Sequence, residues 1–429
     1  MENTVLELRR FLDRSHSVYH AAAALEEMLK HAGYGRLNEF HDWALKPGGK
    51  YYLVRGGAVI AFRIPQGVPA GFLLSAGHGD RPTFKVKENG ELSGRYTRLA
   101  TEKYGGMIIS SWLDRPLSVA GRVLVEQEQG VESRLVDIDR DLLLIPNVAI
   151  HLNRKVNEAM AWNPAVDTLP LLGGPEAAGK LARILEEAAG GRILGHDLFL
   201  YVRQQAAVWG VEEEYISAQG LDDLACVWCC ARGFLDAAPG RSVPVLCMFD
   251  HEEVGSQSAQ GADSSFLEHV LNRICRSMGW EQELLLRQSF MVSADNAHGI
   301  HPNHPEYSDE KNAPVVNGGV VLKFNANQRY ATDGLSASLF RKICATAGVP
   351  VQTYYNRADL PGGTTLGSIS LSHVTVPTAD IGLPQLAMHA SYETAGVKDV
   401  QYLVDAMTAY YEAALLWQED GKCLICSPA

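Results

Sequence analysis

Acidic and imidazole side chains recur in this chain where apolar runs end, the places where a buried element can deliver a side chain to a ligand. Residues 73–76 run into Gly77-His78-Gly79-Asp80, residues 243–249 into Asp250-His251-Glu252-Glu253, and residues 292–294 into Asp295, with His298 just beyond. Gly220-Leu221-Asp222-Asp223 sets two carboxylates at a helix start, and the apolar run 381–388 ends in His389. In His-x-Asp the carboxylate can accept the proton on the far ring nitrogen and so fix the tautomer that binds a metal. Two adjacent Glu leaving a strand point in different directions, so one can hold metal while the other faces an attacking water. Each feature has a plain alternative when taken singly: a solvated acidic loop, an N-cap pair, a satisfied core histidine. Element ends presenting His, Asp, Glu, Asp and His in one chain point instead to a ligand set.

Other motifs lead nowhere. Gly174-Pro175-Glu176-Ala177-Ala178-Gly179-Lys180 has phosphate-loop spacing, but Leu181 stands where Ser or Thr must bind magnesium, and a helix start at Pro175 explains the segment. No G-x-S-x-G elbow occurs. His251-Glu252-Glu253 lacks the second His that a zincin helix needs, since Gly255 occupies that position.

The elements that must carry these residues follow from periodicity. Residues 4–32 show helical spacing through Val5, Leu8, Phe11, Leu12, Ala22, Leu25, Met28 and Leu29, closed by Gly33 and Gly35. Strand-like runs follow at 51–54, 58–64 and 71–76, and residues 85–150 keep to short β-branched runs such as 106–111 and 117–125. A helix is expected over 174–190 and a strand over 197–202. After Gly220, helices at 221–235, 264–278, 333–347 and 402–418 alternate with buried strands at 243–249, 290–294, 320–325 and 351–355. Such alternation predicts an α/β fold: a mixed, mostly parallel sheet sandwiched by helices. Residues 1–85 and 220–429 then join into one catalytic unit, with 86–219 an inserted β-rich domain. In open sheets of this kind ligands bind at the carboxyl ends of the strands, where the candidate residues lie.

Composition excludes several function classes. The 429 residues are 46% hydrophobic and 21% charged, the balance of a globular protein long enough for two or three domains. A net charge of −12 argues against nucleic acid as a partner, since displacing counterions needs clustered Lys and Arg. No run of about eighteen apolar residues suggests a membrane span. The amino terminus lacks a basic start with an apolar stretch, so a cytoplasmic location is expected. Cys226, Cys229 and Cys230 share an apolar helix-like run, and Cys423-x-x-Cys426 has no second pair to complete a zinc knuckle. Free thiols in a reducing cytosol are the simpler reading of all eight cysteines.

Ordered blocks extend along the whole chain. They include Gly77-His78-Gly79-Asp80-Arg81-Pro82, Tyr104-Gly105-Gly106 with Trp112-Leu113-Asp114-Arg115, and Ile145-Pro146-Asn147-Val148-Ala149-Ile150-His151-Leu152. They continue in Leu221-Asp222-Asp223-Leu224, Phe249-Asp250-His251-Glu252-Glu253-Val254-Gly255-Ser256 and Ser293-Ala294-Asp295-Asn296-Ala297-His298. Gln328-Arg329-Tyr330-Ala331-Thr332 and Pro384-Gln385-Leu386-Ala387-Met388-His389 complete them. In these blocks the chain resembles the aspartyl aminopeptidase family of M18 metallopeptidases. The resemblance implies two divalent ions, zinc first, with cobalt or manganese also compatible with mixed imidazole and carboxylate ligands. His78 and Asp295 would hold one ion, Glu253 and His389 the other, and Asp222 would bridge both. Glu252 would be the general base and Asp80 the residue that orients His78. His151, on the inserted domain, looks like the histidine a neighbouring subunit contributes. Lys323 looks like the lysine that meets an acidic first residue of a peptide substrate, with His298 also on the substrate side. Family members assemble as tetrahedral dodecamers built from dimers, so a homo-oligomer joined through the inserted domain is expected.

Some positions depart from the family. Gly79 and Arg81 replace Thr and Ser, Asp223 and His251 stand where Asn is usual, and Ala390 replaces Ser. None removes a ligand, but Arg81 and Asp223 are expected near the metals, where they would alter what the first pocket accepts. Rival readings are an aminopeptidase of the same family with neutral or broad preference, a two-metal carboxypeptidase or deacylase, and an inactive shell-forming assembly protein. The intact His78, Asp222, Glu252, Glu253, Asp295 and His389 speak against the last.

Overall fold

The computed structural model describes residues 2–426. Its centre is a nine-stranded mixed sheet whose spatial order is Gly35–Arg36, Lys50–Arg55, Ala58–Arg63, Val243–Phe249, Phe72–His78, Phe290–Ala294, Thr378–Gly382, Val320–Phe324 and Val351–Tyr355. The middle four, Val243–Phe249 through Thr378–Gly382, are parallel. Side chains of a strand alternate between faces, so Leu73 joins one core while Phe72 and Leu74 join the other. Burial on both faces is why these strands read as unbroken apolar runs rather than alternating ones.

Helices Glu2–Leu12, Val18–His31, Leu221–Asp236, Gly334–Thr346 and Val397–Glu412 contribute to the core on one face. Phe266–Met278, Gln282–Arg287 and Leu366–Ser370 contribute to the core on the other. Ser17 caps the second helix by accepting the His20 N–H, and Asp333 with Ser336 forms a capping box on the Gly334–Thr346 helix. Helices Leu221–Asp236 and Val397–Glu412 approach closely because position 233 is glycine: a Cβ there would lie 2.7 Å from Met407 Cβ. The three cysteines Cys226, Cys229 and Cys230 are buried free thiols on this helix.

Residues 83–202 carry a second, wholly antiparallel six-stranded sheet, ordered Gly130–Asp137, Leu117–Gln127, Ile193–Val202, Thr83–Leu92, Thr97–Tyr104 and Leu171–Gly173. Its core is separate, closed by Leu181, Leu185 and Ala189 of helix Lys180–Ala189. A third sheet of short strands joins distant segments: Ala207–Trp209, Tyr215–Ala218, Glu393–Gly396, Pro384–Leu386 and Ala297–His298.

Two expectations need correction. Residues 106–111 form no strand; a bend leads into a 3₁₀ turn at Ile109–Trp112, which buries Trp112. The terminal helix is Val397–Glu412, and the chain beyond it turns back as the hairpin Ala414–Glu419 with Lys422–Cys426. Leu415 and Trp417 of that hairpin belong to the same core as the helix, so apolar spacing continued past the helix end.

Candidate metal centre

The four parallel strands deliver most of the candidate residues to one edge. His78 ends its strand, and Asp295 follows Phe290–Ala294 directly. Val243–Phe249 passes through Asp250 and His251, the latter in the left-handed region at φ 63°, into a 3₁₀ turn that holds Glu252 and Glu253. Asp222 stands at the mouth of helix Leu221–Asp236, and its peptide bond to Asp223 is cis. The chain reaches it through Gly220 at φ 68°, where a Cβ would press within 2.7 Å of Arg81 Cδ. His389 follows Pro384–Leu386, also in the left-handed region.

Their ligand atoms converge. Within 4.8 Å of one another lie single atoms of His78, Asp222 and Asp295, of Asp222, Glu253 and His389, and of His78, Glu252 and Glu253. His78 Nε2 is 3.5 Å from Asp222 Oδ1, His389 Nε2 is 3.5 Å from Asp222 Oδ2, and His389 Nε2 is 3.5 Å from Glu253 Oε1. These gaps are long for hydrogen bonds. They suit donors around a tetrahedral zinc, which bonds of about 2.0–2.1 Å would hold roughly 3.3 Å apart. Asp222 Oδ1 and Glu253 Oε1 are buried with no hydrogen-bond partner among the described residues. Leaving such atoms unmatched is costly, so the donor set fits a cation.

Both histidines present Nε2 for the same reason. His78 Nδ1 is 3.0 Å from the Asp80 carbonyl oxygen, and His389 Nδ1 is 2.5 Å from that of Gly106. A carbonyl only accepts, so each Nδ1 carries the proton and each Nε2 is free to ligate. The Asp80 carboxylate is the more distant contact to His78, at 3.4 Å. It accepts the backbone N–H groups of Glu252 and Glu253, both at 3.1 Å, and the Tyr104 hydroxyl at 2.7 Å. It thereby fixes the glutamate turn.

Glu393 was not evident from the sequence. Fully buried, it accepts the Asp222 N–H through Oε2 at 3.0 Å and the His389 N–H through Oε1 at 2.7 Å. One carboxylate therefore ties together the backbones of two candidate ligands that lie far apart in sequence. It comes from the third sheet, where Glu393 pairs with Ala218. The only trace in the sequence was an acid in the otherwise uncharged stretch 387–397.

Burial and crowding govern the charges. Burial pushes the Glu252 carboxyl up to about 7, with His78 opposing and Asp295 and Asp80 adding to the rise. Burial likewise raises Glu253 and Asp295, and lifts Glu393 to about 8. Burial disfavours a charge on His389, but Asp222 and Glu253 outweigh it and bring the ring up to about 10. Acids crowded this way create a demand for positive charge that the side chains only partly meet. Glu252 is the more open of the glutamates, its side chain 14% exposed against 4% for Glu253.

The cavity over this edge has a volume of about 200 Å³ and is lined by all six of His78, Asp222, Glu252, Glu253, Asp295 and His389. His298 and Lys323 also line it, as do Tyr330 and Met388 of the blocks quoted above, and Tyr354 and Thr365, which no motif marked. Lys323 is buried; its Nζ donates to the carbonyls of Asp295 at 2.7 Å and Asn296 at 3.4 Å, and lies 3.5 Å from Asp295 Oδ2. His151 sits in an exposed turn and does not line the cavity. Asp223 is buried beside the centre and accepts the His78 N–H at 3.1 Å. Arg81 points elsewhere, donating to the carbonyls of Ser15 and His16 in the link between the first two helices.

A family model described as "Aminopeptidase I zinc metalloprotease (M18)" matches residues 11–411. A probable M18 family aminopeptidase 2 of Clostridium novyi is 38% identical over 422 residues, spanning 94% of this chain and 98% of that protein. The one from Pseudomonas aeruginosa PAO1 is 40% identical, spanning 95% and 97%. Among solved structures, a chain of the Ape4 and Nbr1 complex superimposes with a TM-score of 0.91 at 35% identity, covering 96% of this chain and 85% of that one. The Saccharomyces cerevisiae mApe1 dodecamer gives 0.84 at 25% identity, covering 96% of each. A Thermotoga maritima M18 aminopeptidase, 22% identical, shares the fold with a TM-score of 0.86 over 96% of both chains. With such matches over nearly its full length, the chain belongs to the M18 family and is a metallo-aminopeptidase.

Proposed function

We propose that the enzyme removes the first residue of peptides with a pair of divalent ions, zinc by family description, and favours an acidic first residue. The observation that carries the two-ion reading is Asp222. Its two oxygens face two different histidines at 3.5 Å, so one carboxylate serves two ligand sets. His78 and Asp295 complete one set, Glu253 and His389 the other. When bound, such ions supply the Lewis acidity that polarises a carbonyl and eases deprotonation of water.

The protein's own groups do the rest. Glu252, beside the ligand sets but open to the cavity, is the general base that takes a proton from the attacking water and passes it to the leaving amine. A base whose pKa lies near 7 suits both halves of that task. Asp80 holds the Glu252–Glu253 turn and, through its carbonyl, the tautomer of His78. Lys323 sets the preference for an acidic side chain, with His298 lining the same cavity. His151 reaches the site of a neighbouring subunit in a homo-oligomer, for which the yeast dodecamer is the pattern and tetrahedral symmetry the form. The antiparallel sheet of the inserted segment is the oligomerisation domain, and cytoplasmic peptides are the substrates.

One observation favours a broader preference within the same family: the Lys323 ammonium already donates to two backbone carbonyls. A panel of Asp, Glu, Leu and Lys aminoacyl substrates decides between the two. An acidic preference that collapses in Lys323→Met supports the first reading. Equal rates on Asp and Leu in the unaltered enzyme support the second. Metal analysis should find two equivalents of ion per chain, and one equivalent in a fully active enzyme would overturn the bridged pair.

A further inference from the structure

A second hollow, of about 310 Å³, adjoins the candidate metal centre and shares His298, Tyr354 and Met388 with it as a common wall. We propose that this hollow is the subsite for the second residue of the substrate and selects an aromatic side chain there. The inference rests on the aminopeptidase reading above and names what lies beyond the bond that is cut.

The centre's own cavity, about 200 Å³ and walled by Lys323, Tyr330 and Thr365 as well as the candidate ligands, is the smaller of the two. A peptide whose scissile carbonyl faces the ligands must carry its remaining residues out past a wall. The shared wall leads into a space larger than the first cavity. Cavities of roughly 150 Å³ already admit a benzene ring, so 310 Å³ accommodates an aromatic side chain with room to orient.

The far side of the hollow is a shelf of rings. His301 lies 5.4 Å from His304, and His304 stacks on Tyr307 at 5.3 Å with an interplanar angle of 22°. Leu360 adds an apolar surface. The shelf is tied down, since Ser308 pairs with Asn356 and Arg357 donates to the Glu306 carbonyl. Its charges are already matched: His304 Nδ1 lies 2.9 Å from Glu306, and Arg357 pairs with Asp359 at 2.7 Å. A lining of stacked rings with self-compensated charges rewards a flat, neutral ring more than a charged side chain.

The test compares three substrates that share one first residue: the simple amide, the dipeptide with Gly second, and the dipeptide with Phe second. The unaltered enzyme should favour Phe over Gly by about tenfold in kcat/KM, the scale expected for burying one ring. The double variant His304→Ala/Tyr307→Ala should reduce that ratio to about twofold or less while hydrolysing the amide normally. Tyr307 is 61% exposed and the His304 side chain 53%, so the fold survives their loss. Leu360→Trp, which fills the hollow, should depress the Phe dipeptide alone. Intact amide hydrolysis with no preference for Phe, or a preference that both variants keep, overturns the subsite. Failure to hydrolyse any of the three overturns the aminopeptidase reading and the subsite with it.

Discussion

Two acidic clusters in this molecule, one a half-buried aspartate with its basic partners and the other a buried group of carboxylates, are built on opposite principles. In the six-stranded sheet, Asp197 is bonded by Lys85 at 2.8 Å and by Arg122 at 2.6 Å. Burial alone would raise its carboxyl, but those two partners hold it down to about 2. At the edge of the large sheet, Asp222 and Glu253 each keep one buried oxygen without a hydrogen-bond partner among the described residues, and burial pushes Glu252 up to about 7. The protein neutralises the first cluster from its own side chains and leaves the second incomplete. Unpaired carboxylate oxygens that converge with two imidazoles mark a place where a cation is to be held.

The largest expected effect separates chemistry from ligation at the incomplete cluster. Glu252→Gln should lower kcat by roughly 10²–10⁴-fold with zinc content unchanged by metal analysis. If metal is lost along with activity, Glu252 is a ligand and the two glutamates must exchange roles. Next in size, stripping the ions should destabilise the protein by about 3–4 kcal/mol for each ion lost, relative to ion at 100–1,000 times its dissociation constant. Calorimetry with and without added zinc reads this directly, and an unchanged Tm would mean the second cluster needs no cation. Glu393→Ala, which removes the acceptor shared by Asp222 and His389, should weaken zinc about 10–100-fold in competition with a chromogenic chelator. Glu393→Gln keeps one acceptor and should fall between.

The smallest effect belongs to the self-paired cluster. Asp197→Asn should cost about 1–2 kcal/mol at pH 7, discounted for partial exposure, with kcat untouched. Asp197 titrates lower in the folded protein than its unfolded value of about 3.9. Its stabilisation is therefore complete above pH ~4 and fades as pH falls towards about 2. Denaturant midpoints of the two proteins should converge across that interval. A gap that persists at pH 2 would mean packing, rather than charge, holds Asp197.

The sequence revealed the parts whose physics is local. The runs 243–249 and 290–294 are buried on both faces, so their apolar character survives any choice of neighbours. Of the candidate ligands, His78, Glu253 and Asp295 were legible because each sits at the end of such a run or shortly past it. The third sheet was not, since its strands are two to four residues long and too short to show a period. With it went Glu393, whose role exists only once Tyr215–Ala218 and Glu393–Gly396 pair. Spacing could not say that Asp80 would meet His78 mainly through its carbonyl. Nor could it say that Arg81, beside it in sequence, would turn to the link between the first helices. Adjacent residues on an irregular segment share no fixed direction.

The candidate ligands are drawn from residues 78, 222, 253, 295 and 389 of a 429-residue chain. A polypeptide emerging from the ribosome makes most of its length before His389 exists, and the Glu393 bridge to Asp222 comes later still. Pairings this far apart in sequence close late, because loop entropy must be overcome first. The candidate metal edge is thus among the later parts of the protein to close. A truncated or half-folded copy, which would be the most dangerous place for a loose peptidase activity, has no complete set of ligands with which to cut anything.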